Sequence, residues 1–153
     1  MALENVGGRE TFFGVLPSSN KFGAEKAGSG SVKELVFEVD YSDLPAVDAD
    51  NEMLANIPAG ATVTAATFKV TTAFAGGTSY VFGTYQADGG GVVDADGLIA
   101  SQVTANIDAV GDYIQGAGAL IDATAQTEAT SVVIAATGTF TAGKGILTVS
   151  YVA

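Results

Sequence analysis

Thr62-Val-Thr-Ala-Ala-Thr-Phe-Lys-Val-Thr-Thr-Ala-Phe-Ala-Gly-Gly-Thr-Ser-Tyr-Val-Phe-Gly-Thr-Tyr85 is the stretch that decides the fold class. Ala66, Phe68 and Val70 alternate with Thr67, Lys69 and Thr71, the period of two that marks a half-buried strand. Val63 and Ala65 fall in the opposite phase, so a bulge is expected near Ala65–Ala66. Gly76-Gly77 then reads as a tight hairpin turn into a second strand at Ser79–Tyr85.

The same pattern extends in both directions. Leu35, Phe37, Val39 and Tyr41 alternate with Glu34, Val36, Glu38 and Asp40, and Leu147, Val149 and Tyr151 alternate with Thr148 and Ser150. Further strands are expected at about 110–115, 119–123 and 130–137. A second hairpin is expected around Phe140-Thr-Ala-Gly143. Met53–Ile57 reads as a short helical turn, and Leu98–Ile107 as one short helix with Asp96 as its N-cap. Seven or eight strands joined by Gly-rich turns, with only three prolines, predict an all-β chain: an antiparallel, jelly-roll-like sandwich.

The first thirty residues differ. They show no steady alternation, yet hold Phe12, Phe13 and Phe22, with Pro17-Ser-Ser-Asn20 and Gly28-Ser-Gly-Ser31 as punctuation. Residues 1–33 carry Arg9, Lys21, Lys26 and Lys33 against Glu4, Glu10 and Glu25; residues 34–153 carry fourteen acids against Lys69 and Lys144. The organisation expected is therefore an extended N-terminal arm, residues 1–31, ahead of a β-sandwich body, residues 32–153. Local clustering of charge, and an N-terminal strand lying on its own domain, are the plainer alternatives. If the arm reading holds, Arg9, Phe12, Phe13, Lys21, Phe22 and Lys26 are the candidate partner-binding residues. The aromatics would be buried anchors and the cations would pair with acids at the rim.

Composition closes off most chemistry. The 153 residues include no His, Cys or Trp, which removes Ser-His and Cys-His nucleophiles and any disulfide. A net charge of −11 disfavours nucleic acid as a partner, and no apolar run is long enough for a membrane helix. Met-Ala-Leu-Glu-Asn-Val-Gly-Gly-Arg-Glu10 lacks the basic and apolar regions of a secretory signal, so export by the Sec route is not expected.

Gly138-Thr-Phe-Thr-Ala-Gly-Lys144 matches seven positions of a phosphate-binding loop. Gly145 stands where Ser or Thr should hold the metal, and a strand follows where a helix is required. Asp48-Ala-Asp50-Asn-Glu52 and Asp94-Ala-Asp96-Gly97 suggest calcium, but neither keeps the EF-hand positions for Gly and Glu; solvated acidic loops are the better account. No enzyme, cofactor or metal is expected.

Three segments resemble small β-rich virion proteins of bacteriophages. They are Ile57-Pro-Ala-Gly-Ala-Thr62 with its continuation to Gly77, Asp94-Ala-Asp-Gly-Leu98, and Thr139-Phe-Thr-Ala-Gly-Lys-Gly-Ile-Leu-Thr-Val-Ser-Tyr151. The resemblance covers the chain from Ile57 onward and implies a decoration (cement) protein of a tailed-phage capsid. Such a protein would have a jelly-roll-like body, often as a homotrimer at local three-fold positions, bound to the major capsid protein on the outside of the virion. It would be made in the host cytoplasm. The alternatives are a recognition module, such as a fibre tip or glycan-binding domain using exposed tyrosines (Tyr80, Tyr85 or Tyr113), and a tail or neck component.

Overall fold

The computed structural model describes residues 2–6, 9–13, 24–27, 32–43, 52–87 and 91–153. Among the described residues eleven strands run β1 Ala2–Val6, β2 Arg9–Phe13, β3 Ala24–Ala27, β4 Val32–Asp40, β5 Glu52–Ile57, β6 Thr62–Gly76, β7 Ser79–Gln86, β8 Val92–Val103, β9 Tyr113–Gln115, β10 Thr130–Thr137 and β11 Phe140–Val152. One sheet has the order β3-β4-β11-β6-β9, a second β5-β10-β7-β8, and β1 with β2 forms a separate two-stranded ribbon.

The topology is that of a folded ribbon. β4 pairs with β11, β5 with β10, β6 with β9 and β7 with β8, all antiparallel and nested one inside the next. Wrapping this eight-stranded ribbon so that alternate segments fall in opposite sheets gives a jelly roll, as the strand pattern predicts. β3 adds to the outer edge of β4, pairing Ala24 with Val36 and Ala27 with Lys33.

Alternation places Leu35, Phe37, Val39, Ala66, Phe68, Val70, Leu147, Val149 and Tyr151 of one sheet against Tyr80, Phe82, Val132 and Ile134 of the other. The Phe68 ring lies 5.0 Å from Phe82, 5.6 Å from Tyr80 and 5.9 Å from Phe74, and so joins the two sheets. β10, a continuous run of apolar and hydroxyl residues, is buried from Thr130 to Ala136 on both faces. The bulge expected near Ala65–Ala66 is present. Ser150 faces Ala65 and Tyr151 faces Val63, leaving Thr64 as the extra residue.

Five local expectations are corrected. Met53–Ile57 is strand, not a helical turn, because pairing with β10 overrides weak local preference. Leu98–Ile107 is not a helix. Leu98–Val103 continues β8, with only a 3-10 turn at Thr104–Asn106, and Asp96 lies within that strand. The misreading has a cause: β7 pairs Phe82 with Ile99 but Thr84 with Asp94, so residues 95–98 of β8 bulge opposite Gly83. The bulge buries Gly97, Leu98 and Ile99 in succession, and such a cluster imitates a helix face.

Segment 119–123 is a series of turns rather than a strand. It is tied down by Leu120 N–H donating to Gly97 O at 2.9 Å and Asp122 N–H donating to Val63 O at 2.8 Å. Just ahead of it Gly118 is obligatory, since a Cβ there would stand 2.2 Å from the Gly97 backbone.

The hairpin expected at Gly76-Gly77 is a sheet crossing, and the one expected around Phe140–Gly143 is the start of strand β11, with the crossing just ahead of it. Gly76-Gly77 carries β6 into β7 of the other sheet, and Gly138-Thr139 carries β10 into β11. The crossings run side by side, with Gly77 N–H donating to Thr139 O and Thr78 N–H to Thr137 O, both at 2.7 Å. Phe74 and Phe140 fill the corner edge to face at 5.8 Å.

Candidate interaction surfaces

The candidate arm residues separate into two places. Arg9, Phe12 and Phe13 fall in β2, opposite Val6, Leu3 and Ala2 of β1. Lys26 falls in β3 on the edge of the sandwich, opposite Glu34. Lys21 and Phe22 lie outside the described residues.

Of the tyrosines read as exposed, Tyr80 and Tyr85 are buried at 1% and 7% exposure, because both lie in the central strand β7. Tyr113, on edge strand β9, is 62% exposed. The Tyr80 hydroxyl has no hydrogen-bond partner among the described residues, and burial, reinforced by the charge of Asp112, pushes its pKa up.

The acidic and basic groups have structural explanations. Lys144, the lysine of the phosphate-loop match, stands opposite Asp40 and pairs with its carboxylate at 2.8 Å. The Lys144 ammonium and the Ser42 backbone N–H hold the Asp40 carboxyl below its ordinary range. No group of three acidic residues among the described residues is arranged to hold a metal ion. Asp48 and Asp50 lie outside the described residues, and Asp94 and Asp96 lie in β8 rather than in a loop.

The Asp94 carboxyl is raised above its ordinary value of 3.8 by burial and by its contact with Asp96. A raised carboxyl binds its proton more tightly in the folded state, so its charge costs stability above that range and the cost disappears as pH falls below 3.8. Asp94→Asn keeps the Oδ1 acceptor for the Asp96 N–H and removes the charge. Its melting temperature should lie slightly above wild type at pH 7 and converge with it under acid, which a pH series of thermal melts reads directly.

Two exposed features were not expected from sequence. On the outward face of the five-stranded sheet, register aligns Tyr113, Lys69, Ile146 and Glu38 in one row across β9, β6, β11 and β4. All four are exposed, Ile146 at 38%. Beside this row, a shallow hollow of about 480 Å³ lies between the end of β8 and β9, lined by Gln102, Asn106, Asp112, Tyr113 and Gln115 among others. Val103 and Val110, exposed at 54% and 70%, flank these lining residues in sequence.

No protein-family model and no curated protein matches the chain. Three solved structures share its fold. A chain of the acid-stable capsid of Helicobacter pylori bacteriophage KHP30 matches with a TM-score of 0.57 and 17% identity, covering 80% of this chain and 87% of that one. A chain of the Ralstonia phage GP4 capsid gives 0.56 and 16%, covering 79% and 83%. One from the capsid asymmetric unit of cyanophage Pam1 gives 0.52 and 20%, covering 90% and 99%. At these identities the likeness is one of fold. Coverage is high on both sides, so the matched chains are close to this one in length.

Proposed function

We propose that this chain is a structural protein of a tailed-bacteriophage virion. It binds the outer surface of the capsid across subunit seams and stabilises the expanded head. The observation that carries this reading is the jelly roll shared, over most of both chains, with similarly sized chains of three phage capsid structures. The absence of His and Cys, with a net charge of −11, supports action by binding rather than catalysis.

In this reading the major capsid protein is the partner, and the N-terminal segment 1–31 supplies the contact through Arg9, Phe12, Phe13, Lys21, Phe22 and Lys26. A two-stranded ribbon has no core of its own and is marginal in water. Pairing with a larger partner would supply the burial that such a ribbon lacks. Assembly as a homotrimer would cover sheet edges that a lone sandwich leaves open.

Binding the expanded shell and not the separated subunits would stabilise it by mass action. The test is to add the full chain to expanded heads that lack it. The protein should sediment with the heads and raise the temperature at which they break. Free protein in the supernatant at saturating shell concentration would reject the proposal.

A further inference from the structure

We propose that the hollow between the end of β8 and edge strand β9 binds a neutral oligosaccharide. Its walls are built mostly from planar polar groups, and local hydrogen bonds hold several of them in place. Asn106 Nδ2 donates to Gln102 Oε1 at 2.9 Å, Gln102 Nε2 donates to Ala100 O at 3.0 Å, and Asp112 Oδ2 accepts the Ala109 N–H at 2.9 Å. These bonds use Asn106 Nδ2 and Asp112 Oδ2, and no hydrogen bond among the described residues takes up Asn106 Oδ1, Asp112 Oδ1 or the Gln115 side-chain amide. Planar amides and carboxylates of this kind suit neighbouring sugar hydroxyls, because each oxygen accepts two hydrogen bonds and each amide nitrogen donates two.

The Tyr113 ring, 62% exposed on β9, supplies the flat apolar surface on which the C–H face of a sugar ring can lie. The hollow, about 480 Å³, is open to solvent, so a chain of sugars would lie along it rather than be enclosed.

Charge narrows the ligand class. The lining contains no Lys or Arg and Asp112 contributes a carboxylate; Lys69, opposite Tyr113 on β6, is a single flanking cation outside the lining, so sialylated, phosphorylated and other strongly anionic ligands are disfavoured. Val103 and Val110 suggest a protein contact instead, but neither lines the hollow, and the groups that do are polar. The proposal is independent of where in a virion the chain resides.

The experiment is a glycan array of neutral and anionic oligosaccharides, including bacterial polysaccharide repeats, probed with the full chain. Calorimetric titration of the strongest neutral hit into wild type, Tyr113→Ala and Gln115→Ala follows. We expect binding confined to neutral glycans and weakened at least about tenfold by Tyr113→Ala, with unchanged melting temperatures because both side chains are exposed. No hits, anionic hits only, or a neutral hit indifferent to both variants would overturn the proposal. Loss of self-association in Tyr113→Ala without any glycan binding would overturn it in favour of a protein contact.

Discussion

Replacing Phe68 with Ala should cost about 3–5 kcal/mol, at the upper end of core truncations. For a domain of this size that lowers the melting temperature by about 10 °C. Phe68 is 1% exposed and stands in register between Leu147 of β11 and Ile114 of β9, while its ring meets Tyr80 and Phe82 of the facing sheet. It is therefore a central residue among those through which the layers touch, and the hole it leaves is walled by paired strands on both sides. Gly145 reports how tightly the space is filled, since a Cβ there would sit 2.3 Å from the Phe68 ring. Ile146, the next residue along β11, faces outward at 38% exposure, and Ile146→Ala should cost no more than about 1 kcal/mol. Thermal and urea unfolding of the two variants checks the contrast. Equal losses would mean that the inward and outward faces are misassigned.

Removing residues 2–23 should abolish binding to expanded heads while leaving the sandwich folded. The cut is placed at 23 because Ala24–Ala27 pairs with β4, and keeping it leaves the edge of the five-stranded sheet covered. Burial of a single phenylalanine, Phe12 or Phe13, against the shell would contribute about 1.5–3 kcal/mol, more than tenfold in affinity. Co-sedimentation reads the binding and a thermal melt reads the fold. A truncated chain that binds as tightly as the full one would move the contact to the sandwich itself, where the row of Tyr113, Lys69, Ile146 and Glu38 is the first surface to test.

Much of the fold was legible in the sequence wherever burial followed period two or ran unbroken. β4, β11 and the central β10 are such cases, as is the phase slip in β6 that signals its bulge. The failures share a physical origin. Periodicity reports which way a side chain faces, but it does not report which sheet the chain enters after a turn. Gly76-Gly77 therefore reads as a hairpin when it is a crossing between layers, and the turn read around Phe140–Gly143 is strand that follows a second crossing at Gly138-Thr139. The bulge in β8 compresses three buried residues into succession, and no local rule separates that from a helix.

Surfaces were less legible still. Tyr80 alternates with Phe82 on the inward face of β7, a signal that could have marked it as buried. Gln102, Asn106 and Gln115 come together only because β8 and β9 end near each other, and isolated amides leave no pattern in a sequence.

The central claim is tested most directly by a reconstruction of the native virion at side-chain resolution. The account predicts density for this jelly roll on the outside of the head, repeated over the shell at seams between capsid subunits. The N-terminal segment should reach onto a neighbouring subunit. Finding the chain confined to the tail, the neck or a fibre tip, or on the inner surface of the shell, would contradict it.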